Sequence, residues 1–244
     1  MNLLLVLVLG LMAGWLVNYL ADVLPRSRQL SQPVCHHCGE KLSPGDYLLL
    51  RRCPHCREQR TGRTYLTQVL LLLGTFYLWF DPPRRLGFGP AYLLLIYLAI
   101  VFVIDWEHRL ILHPVSLSGA VLGLGIGWHA HGLSDTLLGG AVGFGSMLGL
   151  YSLGEMFTRY MSRRRGQAID EVALGFGDVN LAGVVGLLLG WPVIILGLLF
   201  AMLAGGIASL GVILYMLIRK QYRAFTAIPY APFLVLSVLL LLYR

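Results

Sequence analysis

Two groups of residues in this sequence have the type and spacing to do chemistry. The first is Cys35-His-His-Cys38 and Cys53-Pro-His-Cys56, which hold all four cysteines of the chain with fourteen residues between the pairs. Each CxxC turn presents two thiolates to one point, and two such turns complete a tetrahedral zinc site with no open position. Disulfides and free buried thiols are the competing readings. A reducing cytoplasm, where the charge argument below puts this loop, disfavours disulfides. A polar loop rich in arginine disfavours burial. Four thiolates leave no room for a substrate, so the zinc is expected to be structural, stapling a loop that has no core of its own. His36, His37 and His55 are read as neighbours of the site rather than ligands.

The second group is Asp105, Gly175, Gly177 and Asp178. Asp105 follows the apolar run Leu93–Ile104, and Asp178 closes Gly175-Phe-Gly-Asp178, 73 residues further on. Ionisable side chains in or beside membrane-spanning runs are costly and are functional suspects by default. Taken singly, Asp178 has a plainer reading as a helix cap, and Asp105 as an interfacial acid beside Glu107 and Arg109. Taken together they offer more. Two carboxylates brought within a few ångström cannot both ionise, so they share a proton. One can then act as base on a water while the other protonates a carbonyl. Gly175 and Gly177 would let a substrate backbone come close to Asp178. Two further acids have plainer readings: Asp22 snorkels from the end of the first apolar run, and Glu155 pairs with Arg159 one turn on.

The elements that must position these residues are apolar. Hydrophobic residues make up 57% of the 244 positions and charged residues 13%, and the mean hydropathy is +0.72, which excludes an ordinary soluble domain. Eight apolar segments follow one another, at about 2–24, 65–80, 90–106, 115–131, 136–158, 179–191, 193–218 and 227–243. The expected fold is all-α, a polytopic integral membrane protein of about eight transmembrane helices with a small zinc-binding loop domain. Its divisions are a first helix over 1–24, the loop over 25–64 and a seven-helix membrane domain over 65–244. The run from Asn2 lacks a basic leader and is read as a retained helix. Proline marks the breaks, at Leu24-Pro25, Asp81-Pro82-Pro83, His113-Pro114 and Trp191-Pro192. The sixth segment is short and is expected to be tilted or partly buried. The glycines at 123, 125, 127, 139, 140, 143 and 145 fit close helix packing in lipid.

Orientation follows from the basic residues. With the amino terminus outside, every Lys and Arg except Arg84, Arg85 and Arg244 falls on the inner side, so the cysteine loop faces the cytoplasm. Asp105 and Asp178 then lie at the same membrane face. The net charge of +7 is accounted for by this topology, and no nucleic-acid partner is expected. The partner the composition calls for is the lipid bilayer. A transporter would place charge at mid-membrane, and the runs 66–79, 93–104 and 193–217 carry none there.

At this point the residues resemble a known family, the type IV prepilin peptidases, which are membrane aspartyl proteases of the GxGD type. The resemblance rests on Gly14-Trp-Leu-Val-Asn18 with Leu24-Pro25, the paired CxxC loop, Ile104-Asp105-Trp-Glu-His108, Leu174-Gly-Phe-Gly-Asp-Val179 and Ile228-Pro-Tyr-Ala-Pro-Phe-Leu234. It implies that Asp105 and Asp178 are the catalytic pair. It also implies cleavage of the short basic leader of a prepilin or pseudopilin at the cytoplasmic face of a bacterial inner membrane. Many members also methylate the new amino terminus with S-adenosylmethionine. The chain departs from the pattern in three places. Leu112-His113-Pro114 stands where many members have Pro-Asp, the cysteine loop is shorter, and Arg63-Thr-Tyr-Leu-Thr-Gln68 replaces Arg-Tyr-Pro-Leu-x-Glu. The last two fall in the region linked to methylation. A zinc-stapled scaffold of a pilus or secretion machine, without catalysis, is the alternative.

Overall fold

The computed structural model describes residues 2–165, 175–219 and 229–243. Leu174, Ile228 and Arg244, named above, lie outside the described residues, as do the basic residues Lys220 and Arg223. Among the described residues the secondary structure is helical apart from one isolated antiparallel bridge, Val34 to Lys41. The chain forms two compact units, Met1–His108 and Arg109–Arg244.

The first unit contains α1 (Leu3–Ser27), the short α2 (Pro44–Leu48), α3 (Gly62–Phe80) and α4 (Phe88–His108). Pro25 was expected to end the first helix, yet α1 runs through it to Ser27. The missing proline N–H costs one helical bond. Beyond Pro25 the last turn is still closed: Ser27 Oγ donates to the Val23 carbonyl at 3.0 Å, and the Arg28 N–H, in the left-handed conformation, donates to Leu24 O at 3.0 Å. The α1–α3 contact depends on Gly14, where a Cβ would collide with the Gln68 amide. Gln68 Nε2 also donates to the Leu11 carbonyl at 3.0 Å.

The second unit contains α5 (His113–His131), α6 (Leu133–Arg165), α7 (Phe176–Leu189), α8 (Val193–Ile218) and α9 (Ala231–Leu242). Its centre is α7, whose Val179, Leu181, Ala182, Val184, Val185, Leu188 and Leu189 are all buried. A helix that is apolar on every side must be enclosed by protein, and α5, α6, α8 and α9 all pack against it. This accounts for its 14 residues, fewer than the roughly 20 a free spanning helix needs. The α6–α7 seam is made of absent side chains. A Cβ on Gly186 would collide with the Gly139 carbonyl, one on Gly139 with the Gly186 carbonyl, and one on Gly143 with the Ala182 carbonyl. Close backbone approach of this kind is how helices associate where lipid removes the hydrophobic drive.

Each of the eight apolar segments is thus a helix where it is described. Four helices, α1, α4, α6 and α8, are long and apolar enough to cross a bilayer; α7 and α9 are shorter apolar helices. Large side chains such as Ile207, Leu210, Leu214 and Ile218 on α8 are exposed. An apolar face of that extent is stable against lipid, not water. The protein is an all-helical, multi-pass membrane protein.

Candidate active site and metal centre

The four cysteines converge. Their Sγ atoms all lie within 4.8 Å of one another, with Cys35–Cys56 at 3.7 Å and Cys38–Cys53 at 3.6 Å. A tetrahedron of thiolates about 2.3 Å from zinc has edges of about 3.8 Å, so the spacing fits such an ion. The two turns are built alike. Cys35 N–H donates to Glu40 O and Gly39 N–H to Cys35 O; Cys53 N–H donates to Glu58 O and Arg57 N–H to Cys53 O, all at 2.8–3.0 Å. Gly39 and Arg57 take the positive φ that each turn requires, +73° and +56°. Burial works against ionisation of Cys35, but the N–H groups of Cys38 and His37 outweigh it and bring its thiol down to about 6. The N–H of Cys56 lowers Cys53 in the same way, against its burial. The donor set is that of a metal site. Cys35 and Cys53 also pack with Leu42, Tyr47 and Tyr19, so the loop has a small core after all.

That core leads to a polar joint. Tyr47 OH donates to Asp22 Oδ2 at 2.6 Å, and His36 Nε2 lies 3.3 Å from Asp22 Oδ1. Burial, and then the charge of Asp22, push the Tyr47 phenol well above its usual range, so it stays a donor. Asp22 does not snorkel. It is 7% exposed and forms an ion pair with Arg63. Arg63 spends its other nitrogens on Asn18 Oδ1 at 2.9 Å and Glu107 Oε1 at 2.9 Å. Asn18 Nδ2 in turn donates to Thr64 O at 3.1 Å. A guanidinium spreads its donors over three nitrogens in one plane and so reaches all three acceptors at once. Glu107, read from sequence as an interfacial neighbour, is therefore a ligand of Arg63. Sequence reasoning missed this joint, though one signal was available: a carboxylate inside an apolar helix needs a cation, and Arg63 is the arginine nearest the start of the next one.

Asp105 sits in the last turn of α4 and is buried, 4% exposed. Asp178 sits in the first turn of α7, partly exposed, and its Oδ2 accepts from the Gly175 N–H at 3.2 Å. The capping geometry foreseen for Asp178 is thus present. The two glycines differ. A Cβ on Gly177 would collide with Ile111, so its smallness serves internal packing; among the described residues, only Asp178 itself and Gly177 N come near Gly175. Glu155 has the expected partner, with Arg159 Nη2 3.3 Å from its Oε2.

Comparison with known proteins bears on both groups. Residues 92–210 match the type IV leader peptidase family. A prepilin leader peptidase/N-methyltransferase of Myxococcus xanthus is 29% identical over 220 residues, covering 83% of this chain and 61% of that protein. Namesakes in Aeromonas hydrophila (24%, over 88% of this chain and 72% of that protein) and Pectobacterium carotovorum (28%, over 72% and 62%) are also similar. No solved structure matches. The chain spans about three-fifths of the length of the Myxococcus relative. Coverage this broad reaches well before residue 92, into the region of the cysteine loop. Asp105 and Asp178 both lie inside the segment that is similar to the type IV leader peptidase family.

Proposed function

We propose that this chain is a membrane aspartyl endopeptidase that removes the leader of prepilins or pseudopilins at the cytoplasmic face of a bacterial inner membrane. The observation that carries the reading is the position of the two aspartates. Both fall within the 92–210 family match, and each ends or begins a helix, α4 for Asp105 and α7 for Asp178. A substrate whose leader is still in the cytoplasm, and whose hydrophobic segment is already in lipid, offers its scissile bond at that depth. One carboxylate takes a proton from the attacking water while the other gives its proton to the carbonyl oxygen. The first then passes its proton to the leaving amine as the second takes one back from the collapsing tetrahedral diol. Gly175, beside Asp178 and without a side chain of its own, would let the substrate backbone approach. Segregation of Lys and Arg supports the orientation, with both termini outside and the cysteine loop inside.

Cys35, Cys38, Cys53 and Cys56 would hold one zinc ion, which cross-links the loop and takes no part in bond cleavage. The names of the relatives also support transfer of a methyl group from S-adenosylmethionine to the new amino terminus. Co-expression with a candidate prepilin, followed by mass spectrometry of its amino terminus, tests both steps. A product beginning after the basic leader is expected, and a further mass of one methyl group reports the second activity. An uncleaved prepilin would leave the non-catalytic scaffold as the reading.

A further inference from the structure

The polar joint around Arg63 has a consequence for the α4 terminus. Its guanidinium binds Asp22 and Asn18 on α1 through Nη2 and Nη1, and Glu107 on α4 through Nε. Asp22 also receives Tyr47 and His36 from the cysteine loop, and His36 follows the first cysteine directly. Glu107 lies two residues after Asp105, in the same last turn of α4. A helix end frays unless something holds it, and here the holding group is the partly exposed Arg63–Glu107 pair, backed by the buried Arg63–Asp22 pair that is linked to the metal loop. The Arg63 side chain is 16% exposed and that of Asp22 5%, so water screens the pair little and its geometry is well defined. We infer that Arg63 is a positioning residue. Through Glu107 it fixes the α4 turn that carries Asp105, and through Asp22 it ties that turn to the folded state of the cysteine loop. The loop thereby acts on the reaction without touching substrate.

This inference rests on the reading of Asp105 as one of the two reacting carboxylates. The test measures leader cleavage of a prepilin in liposomes by the full chain and by Arg63→Gln, Glu107→Gln and the double variant, with Asp105→Asn as reference. Metal content and thermal unfolding are recorded for each. Misplacing a reacting group by about 1 Å lowers turnover by about 100-fold. Each single variant is expected to show a fall in kcat of that order with KM nearly unchanged, and the double variant to fall no further, because the two residues act as one unit. Arg63→Lys is expected not to rescue, since an ammonium carries its three donors on one nitrogen and does not span acceptors set around a planar fork. Glu107→Gln keeps Asp22 paired and the loop closed, so it decides the matter even if Arg63→Gln does not fold. Wild-type kcat in a folded, metal-loaded Glu107→Gln protein would overturn the inference. So would losses that simply add, or loss of product methylation with undiminished cleavage. If Asp105→Asn itself cleaved normally, the reading of Asp105 beneath it would fail instead.

Discussion

The two units of this protein solve one problem with opposite chemistry. In Met1–His108 the helices are joined by groups that are present: Arg63 with Asp22, Asn18 and Glu107, and four thiols drawn to one point. In Arg109–Arg244 the α6–α7 seam is joined by groups that are missing, at Gly139, Gly143 and Gly186, where backbone meets backbone. Neither helix set is pulled together by hydrophobicity once lipid surrounds it. Apart from the close approach at Gly14, the first therefore depends on partners and breaks when a partner is lost. The second depends on space and breaks when an atom is added.

The largest effect should come from the metal loop. Cys35→Ser or Cys53→Ser is expected to lower bound metal and expose residues 30–62 to hydrogen exchange, while the α6–α7 seam keeps its protection. Full metal content in either variant would remove the thiolates from the account. Next is Asp22→Ala, which leaves Arg63 buried without its main counter-ion and should cost about 3 kcal/mol in thermal unfolding. Gly186→Ala should cost about 2 kcal/mol, since the added Cβ meets the Gly139 carbonyl and neither backbone yields cheaply. Gly145→Ala, with nothing within 4 Å of its Cβ, should cost nothing by the same measurement. If the two glycines behaved alike, the contrast between the units would be wrong. Smallest is Arg159→Gln. Its pair with Glu155 is largely exposed, and unfolding should change by less than about 0.5 kcal/mol.

Much of this was legible from sequence because lipid imposes few choices. Apolar runs broken by proline read directly as helices, and four cysteines in two CxxC turns read directly as a metal site. Asp178 could be placed at a helix start because Gly175-Phe-Gly-Asp178 ends a polar stretch and opens an apolar one. The Arg63 joint was not legible. It gathers Asn18, Asp22, Tyr47, Arg63 and Glu107 from four stretches of chain, and no periodicity marks such a set. Pro25 misled for a different reason: near a helix end a proline costs only one bond, and the turn after it still closes through the hydroxyl of Ser27 and the N–H of Arg28. Gly177 shows the limit of motif reading. Its neighbour is Ile111, which the tetrapeptide alone cannot reveal.

The central claim is that Asp105 and Asp178 do the chemistry, and leader cleavage by Asp105→Asn and Asp178→Asn tests it most directly. Each amide removes both the base and the acid character of a pair that shares one proton. Each variant should therefore remain inserted in the membrane with its metal bound, yet lose cleavage by several orders of magnitude, with the double variant hardly lower. Undiminished cleavage of a prepilin by the Asp178→Asn protein would contradict the account.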